Sequence, residues 1–141
     1  MTKIKSGLST DQHTFEFNLK GVTVDELEVY CTYAKLSLAK LYIDEKETCF
    51  VPGHYFLGLF RYLVSEISAK DSLFPFSELK SWNMSVNGTF ENRILIDQDL
   101  IVKMQIRSKE NNRHWFWVEF VREKDNEVVL AGIFGFIGQH V

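Results

Sequence analysis

Hydrophobic and polar residues follow two different periods along the first third of the chain. Residues 13–20 alternate apolar with polar, which predicts a short half-buried strand ending at Gly21. Residues 24–40 then carry apolar side chains three and four positions apart, the spacing of an amphipathic helix. Thr23 and Glu26 have the spacing of a capping box, in which each side chain accepts from the other residue's backbone amide. The chain is therefore expected to begin as a strand followed by a helix.

A second helical segment is more apolar than the first. It begins near His54, directly after Pro52 and Gly53, and continues to about residue 69. Its apolar side chains follow helical spacing, and they are Phe56, Leu59, Phe60, Leu63, Val64 and Ile67. Because so apolar a helix is unstable with most of its surface in water, we expect a sheet to wrap around it.

The remainder of the chain alternates with the period of two that is typical of strands. Four strands are predicted, at about 81–90, 100–107, 115–121 and 128–137. Asp125 and Asn126 predict a two-residue hairpin turn between the last two. The element order of strand, helix, buried helix and four antiparallel strands defines an α+β fold. We expect a single domain over 1–141, with an ordered core over about 13–137.

Composition and charge narrow the class of function. The 141 residues are 45% hydrophobic and 25% charged, which is ordinary for one globular domain. The net charge is −3 and no basic stripe is visible, so nucleic-acid binding is not expected. No apolar run has the length of a signal peptide or a membrane span, and a cytoplasmic protein is expected. Twelve phenylalanines, five tyrosines and three tryptophans can fill a core or line an apolar tunnel.

Four stretches of sequence carry a resemblance to a known superfamily. They are residues 23–34 (TVDELEVYCTYA), 51–57 (VPGHYFL), 92–100 (NRILIDQDL) and 128–132 (VVLAG). With the element order, they resemble a single hot-dog domain, an antiparallel β-sheet wrapped around a long buried central helix. The detail is similar to its MaoC-like and 3-hydroxyacyl-thioester dehydratase branch. The resemblance implies an acyl chain on coenzyme A or acyl carrier protein as substrate, and a second copy of the domain as partner.

The start of the buried helix is the predicted thioester site. The resemblance implies that this helix start stabilises the thioester oxygen, and the first amides of a helix have no acceptor within it. The predicted donors are the amides of Gly53, His54 and Tyr55. His54 is also the predicted catalytic side chain, because imidazole can exchange protons near neutral pH. Arg61 shares its stripe and can meet an anionic phosphopantetheine or carboxylate; the alternative is a surface ion pair.

The acid–base pair of the resembled branch is incomplete. The resemblance implies Asp-x4-His between the two helices, but Asp44 is followed five positions later by Cys49. Asp44 is kept as a second catalytic candidate, although its charged surroundings also fit a solvated connector. His54 and Glu66 would lie about 18 Å apart along one helix, too far to share a substrate atom within one subunit.

Three functions therefore remain open. The leading hypothesis is a 3-hydroxyacyl dehydratase or enoyl hydratase of fatty-acid or polyketide metabolism. An acyl-CoA thioesterase is the second, since a water held by Asp44 or His54 would suffice. The third is a non-catalytic acyl-binding subunit that pairs with an active homologue. We expect a homodimer or higher homo-oligomer, and no metal or cofactor in the site.

Overall fold

The computed structural model describes residues 5–42, 48–56, 62, 79–89, 94–110 and 113–140. The side chains of 79–89, 109–110 and 136–140 are outside this description. The strands are β1 Thr14–Leu19, β2 Leu79–Thr89, β3 Leu100–Glu110, β4 Arg113–Arg122 and β5 Glu127–His140. The helical elements are α1 Val24–Ala34, a 3-10 helix Leu38–Leu41, and helical residues at 53–56 and 62.

All five strands form one antiparallel sheet in the order β1-β3-β4-β5-β2. Neighbours in sequence pair from β3 to β5, as expected for strands joined by tight connections. β1 and β2 occupy opposite edges, so the chain between them crosses from one edge of the sheet to the other. That crossing contains α1 and the helix that begins at Gly53. The predicted order of elements is confirmed for the described residues.

The main core lies between the helices and one face of the sheet, here called the inner face. On β4 this face carries Phe116, Val118 and Phe120, all fully buried. Leu27 of α1 and Phe56 of the second helix belong to the same cluster. Burying an aromatic or leucine side chain contributes roughly 1.5–3 kcal/mol. The start of the second helix is therefore held against the sheet, as its apolar pattern predicts.

The first helix begins as predicted and ends earlier. Thr23 is its N-cap, and the reciprocal hydrogen bonds with Glu26 that make a capping box are both present. The prediction that the helix runs to residue 40 is wrong, because Lys35 takes a left-handed conformation with φ 57°. The amides of Lys35 and Leu36 both donate to the Cys31 carbonyl and close the helix.

The hairpin between β4 and β5 also differs from its prediction. The turn contains four residues, 123–126, rather than the two predicted. Asn126 has φ 58° and its amide donates to the Arg122 carbonyl at 2.8 Å. An ion pair of 2.9 Å between Arg122 and Asp125 spans the same turn. Asparagine tolerates the left-handed region better than most residues, which explains why this position ends the turn.

In the part of the chain that the structure describes, no helix is long and apolar enough to cross a bilayer. The boundaries of the single domain, 1–141, stay a prediction.

Candidate functional site

The segment just before the second helix is hydrogen-bonded to two other parts of the chain. The Val51 amide donates to the Ile94 carbonyl at 2.7 Å, and the Phe50 amide donates to the Leu41 carbonyl at 2.9 Å. Val51 is fully buried, and the two residues after it, Pro52 and Gly53, are buried as well. Proline is favoured at a helix start because it has no amide hydrogen to leave unpaired. These contacts set the position of the first helical turn.

Of the three amides predicted to bind a thioester oxygen, one is already engaged. The Tyr55 amide donates to the Pro52 carbonyl at 2.9 Å, inside the turn itself. A helix that begins at Gly53 leaves the amides of Gly53 and His54 without an acceptor in that helix. These two are the stronger candidates as donors to a ligand, and their role stays a prediction.

His54 lies beside two tyrosines. Its side chain is exposed, and its ring centroid is 5.9 Å from that of Tyr30 on α1. The Tyr30 ring in turn packs edge-on against Tyr55 at 4.9 Å. Sequence reasoning identified His54 and the Tyr55 amide, but it did not include Tyr30 among the candidate site residues. The available signal was its hydroxyl, a polar group on an otherwise apolar helix face.

Both tyrosines keep their protons more firmly than free tyrosine does. Burial raises the pKa of the Tyr30 phenol, with a smaller contribution from Cys31. Burial also raises the pKa of Tyr55, helped by the Glu26 carboxylate and by Tyr30. Near neutral pH both phenols are therefore hydrogen-bond donors rather than bases.

Aromatic contacts continue from the helix start to the sheet. Tyr55 packs edge-on against Phe56 at 5.4 Å, and Phe56 meets Phe120 of β4 at 5.2 Å. Phe56 and Phe120 are almost fully buried. The polar rings of His54 and Tyr30 therefore lie at the outer end of a series of packed aromatic side chains. This packing holds the residues that carry the two rings in position.

Cys49 occupies the position where the resembled branch has its histidine. Its side chain is fully buried in the main core. Burial raises the pKa of its thiol, with Cys31 and Asp97 adding to the effect. Cys31 is also buried, and both cysteines are free thiols. A protonated thiol enclosed in a hydrophobic core cannot replace a catalytic imidazole.

The 92–100 stretch has a structural task at its described end. The Asp99 carboxylate accepts a hydrogen bond from the Gly21 amide at 2.8 Å. The Asp97 amide donates to the Val22 carbonyl at 2.9 Å, from a backbone with φ 62°. These bonds attach the loop before β3 to the connection between β1 and α1. Asp99 therefore holds two segments together and lies outside the candidate site.

Other predicted site residues fall outside the described part of the chain. Asp44, Arg61 and Glu66 belong to segments whose structure is not described, so their roles stay predictions. Two open cavities have volumes of about 560 and 310 Å³. The larger is lined by Asp97, Gln98, Asp99, Arg122, Glu123 and Lys124, and the smaller by Gln12, His13, Phe15 and Ile106. Neither has the described helix residues 53–56 in its lining.

Comparison with solved structures identifies the fold. The (R)-hydratase from A. caviae involved in PHA biosynthesis superposes with a TM-score of 0.57 at 9% identity, over 94% of this chain and 98% of that one. A Staphylococcus aureus protein solved in complex with CoA superposes with a TM-score of 0.54 at 13% identity, over 90% of this chain and 70% of that one. A point mutant of the fluoroacetyl-CoA-specific thioesterase FlK superposes with a TM-score of 0.53 at 13% identity, over 96% of this chain and 91% of that one.

The chain therefore has the hot-dog fold, as its sequence predicts. The solved structures that it resembles include two (R)-hydratases. No protein-family model and no curated protein sequence matches the chain.

Proposed function

We propose that this protein binds an acyl thioester at the start of the helix that begins at Gly53. The observation that carries the proposal is the placement of an exposed His54 beside the helix's first amides, in a fold shared with a hydratase and a CoA-bound protein. The acyl group is carried by coenzyme A or by acyl carrier protein. The leading reaction is interconversion of a 2-enoyl and a 3-hydroxyacyl thioester.

The helix start suits a thioester carbonyl on electrostatic grounds. The amides of Gly53 and His54 point along the helix axis, where the dipole places partial positive charge. Gly53 has no side chain to block the approach of a ligand. Charge that develops on the thioester oxygen in an enolate-like transition state would be stabilised by these preorganised donors.

His54 is the proposed acid–base group. Hydration of an enoyl thioester needs a base to take a proton from water and an acid to deliver one to the α-carbon. An imidazole can perform both transfers in turn, and the Tyr30 hydroxyl nearby is a donor that can orient the water or the substrate. Asp44 is retained as a second proton-transfer group, and Arg61 as a ligand for phosphopantetheine phosphate or a substrate carboxylate.

Thioester hydrolysis is the second candidate, and Cys49 is the observation that favours it. The buried Cys49 removes one partner of the branch's acid–base pair, whereas hydrolysis needs only one base to activate water beside the same oxyanion donors. A non-catalytic subunit is the limiting case, in which thioester binding is kept and neither reaction occurs. We propose a homodimer, or a pair with a catalytic homologue, working in the cytoplasm.

The three functions separate in one experiment. The purified protein is incubated with crotonyl-CoA, longer enoyl-CoAs and crotonyl-carrier protein, while enoyl absorbance and free thiol are followed independently. Loss of absorbance without thiol supports hydration, and thiol release supports hydrolysis. Binding without either change supports the subunit. The thioester proposal is wrong if none of these compounds binds.

A matched pair of variants tests the role of His54. His54→Ala is expected to lower the rate of either reaction by about 100-fold or more, the usual contribution of a positioned acid–base group. His13→Ala is the control, since His13 is also exposed but lies before β1. An unchanged rate in the His54 variant would remove it from the mechanism.

A further inference from the structure

A short segment of the chain lies across the outer face of the sheet, opposite the helices. This segment, residues 5–13, is here called the arm. It crosses β3 and β4, where two polar side chains are buried on the outer face: Gln105 is fully buried and Glu119 is 1% exposed. Burying an amide or a carboxylate is costly unless hydrogen bonds replace water. The arm provides those hydrogen bonds.

Gln105 forms two hydrogen bonds with the backbone of one arm residue. Its Oε1 accepts from the Ser9 amide at 2.8 Å, and its Nε2 donates to the Ser9 carbonyl at 2.7 Å. The same Nε2 also lies 3.3 Å from the Gln12 carbonyl and from Thr14 Oγ1. Paired contacts to one residue's amide and carbonyl recognise an extended backbone, the feature that any peptide presents.

Glu119 holds the arm two and three residues earlier, at Gly7 and Ser6. Its carboxylate accepts from the Gly7 amide at 2.6 Å and from Ser6 Oγ at 2.9 Å. The indole Nε1 of Trp117 donates to the same carboxylate at 2.5 Å. The Arg107 guanidinium also donates to the Gly7 carbonyl. Hydrogen bonds to a charged acceptor are roughly twice as strong as neutral ones, so this contact anchors the arm.

The same surface selects glycine at one position. A Cβ on Gly7 would lie 2.6 Å from Trp117 Cε2, inside the indole ring's contact radius. Any side chain larger than hydrogen would have to displace the indole, which also donates to Glu119. Residue 7 must therefore be glycine. The other contacts are hydrogen bonds to the backbone and to one serine hydroxyl.

The arm is attached to the domain without being part of its core. Each of residues 5–13 is exposed or only partly exposed and none is buried, and the main core cluster contains none of them. Segments with few buried apolar contacts open at lower free energy than the core does. Release of the arm would leave Gln105, Trp117 and Glu119 as a preformed groove on a folded sheet.

We propose that the outer face of β3 and β4 is a peptide-binding site, specific for an extended segment containing Ser-Gly, and that the arm is its bound ligand in cis. Gln105, Trp117 and Glu119 are the recognition residues. The proposal goes beyond acyl-thioester binding and is independent of it, because the groove lies on the opposite face of the sheet from the helices.

The test uses the full chain with Gly7→Val, in which the arm no longer fits beneath Trp117. A fluorescein-labelled peptide of residues 5–12 (KSGLSTDQ) is titrated with each protein, and anisotropy is measured. The variant is expected to bind the peptide at least about tenfold more tightly than the wild type, whose tethered arm competes at a millimolar effective concentration. Thr10→Val, in an exposed arm residue, is the matched control and should behave as the wild type.

Two further measurements make the outcome decisive. A peptide with valine in place of glycine should not bind the Gly7→Val protein, and adding Glu119→Gln should weaken binding of the original peptide about tenfold or more. The proposal is overturned if the folded Gly7→Val protein fails to bind the peptide. It is equally overturned if Gly7→Val abolishes folding, judged by circular dichroism, because the arm would then be required for the fold itself.

Discussion

The ring of His54 lies 5.9 Å from the ring of Tyr30, although the two residues belong to different helices. His54 is in the first turn of the helix that begins at Gly53, and Tyr30 is on α1. Tyr30 also contacts Tyr55 at 4.9 Å. The contact brings a tyrosine of α1 beside the predicted catalytic histidine, and this tyrosine was not among the predicted site residues.

Removing that hydroxyl should weaken the proposed site while leaving the fold intact. Tyr30→Phe keeps the ring contacts and deletes one donor, so we expect crotonyl-CoA affinity or turnover to fall roughly fivefold, the usual effect of one hydrogen bond. Calorimetric titration with crotonyl-CoA measures the affinity, and enoyl absorbance measures the turnover. Tyr33→Phe on the same helix is the control, because Tyr33 is 84% exposed. Equal losses in both variants would contradict a role for Tyr30.

Alkaline pH should destabilise the protein through Tyr55. Burial raises the pKa of this phenol above the ordinary value of about 10, so the folded protein holds the proton to higher pH than the unfolded chain does. The stabilisation is complete below about pH 10 and is lost as pH rises through the folded-state pKa. Urea unfolding of the wild type between pH 8 and 11 should show this loss.

The Tyr55→Phe variant isolates that effect. Phenylalanine has no proton to lose, so the free energy of unfolding of this variant should fall less steeply over the same pH range. Tyr33→Phe again provides the comparison and should follow the wild type. Parallel curves for all three proteins would show that Tyr55 does not carry the alkaline transition.

Restoring the histidine of the Asp-x4-His pattern should fail to create a hydratase. Cys49→His completes the spacing with Asp44, but position 49 is fully buried in the main core. A larger polar ring there should cost about 2–4 kcal/mol of stability, from overpacking and from burying its nitrogens. Urea denaturation measures the loss, and enoyl absorbance follows activity. A stable variant with increased hydration would show that position 49 can reach the substrate.

A substitution at Gly135 tests the packing on the outer face of the sheet. A Cβ on this residue would lie 2.2 Å from Cζ3 of Trp115 on the neighbouring strand β4. Gly135→Ala should therefore lower the free energy of unfolding by about 1–3 kcal/mol, since the indole must move. The double variant with Trp115→Leu should recover most of that loss. A double-mutant cycle without coupling between the two positions would argue against the contact.

Much of the fold could be predicted because its signals are local. Alternating residues predicted β1 and the four later strands, and the Thr23–Glu26 pair marked the start of α1. The apolar residues after Pro52 located the second helix at its start. Each pattern follows from the geometry of a strand or a helix, which repeats over a few residues.

The end of α1 and the loop between β4 and β5 were less predictable. Lys35 ends the helix in a left-handed conformation, where glycine is the usual residue. The sequence therefore gives no stop signal at this position, and the helical apolar spacing continues past it to residue 40. The four-residue turn after β4 depended on Asn126, whose tolerance of positive φ fits more than one turn length.

The sequence by itself determined the order and type of the elements, the α+β class and a helix start near His54, because these depend on periodicity and local capping. Only the tertiary structure decided that Tyr30 stands beside His54, that Cys49 is enclosed in the core, and that Glu119 holds a segment 112 residues away in sequence. Such relationships arise when distant segments pack to bury apolar surface and satisfy buried polar groups, and no local pattern encodes the partner.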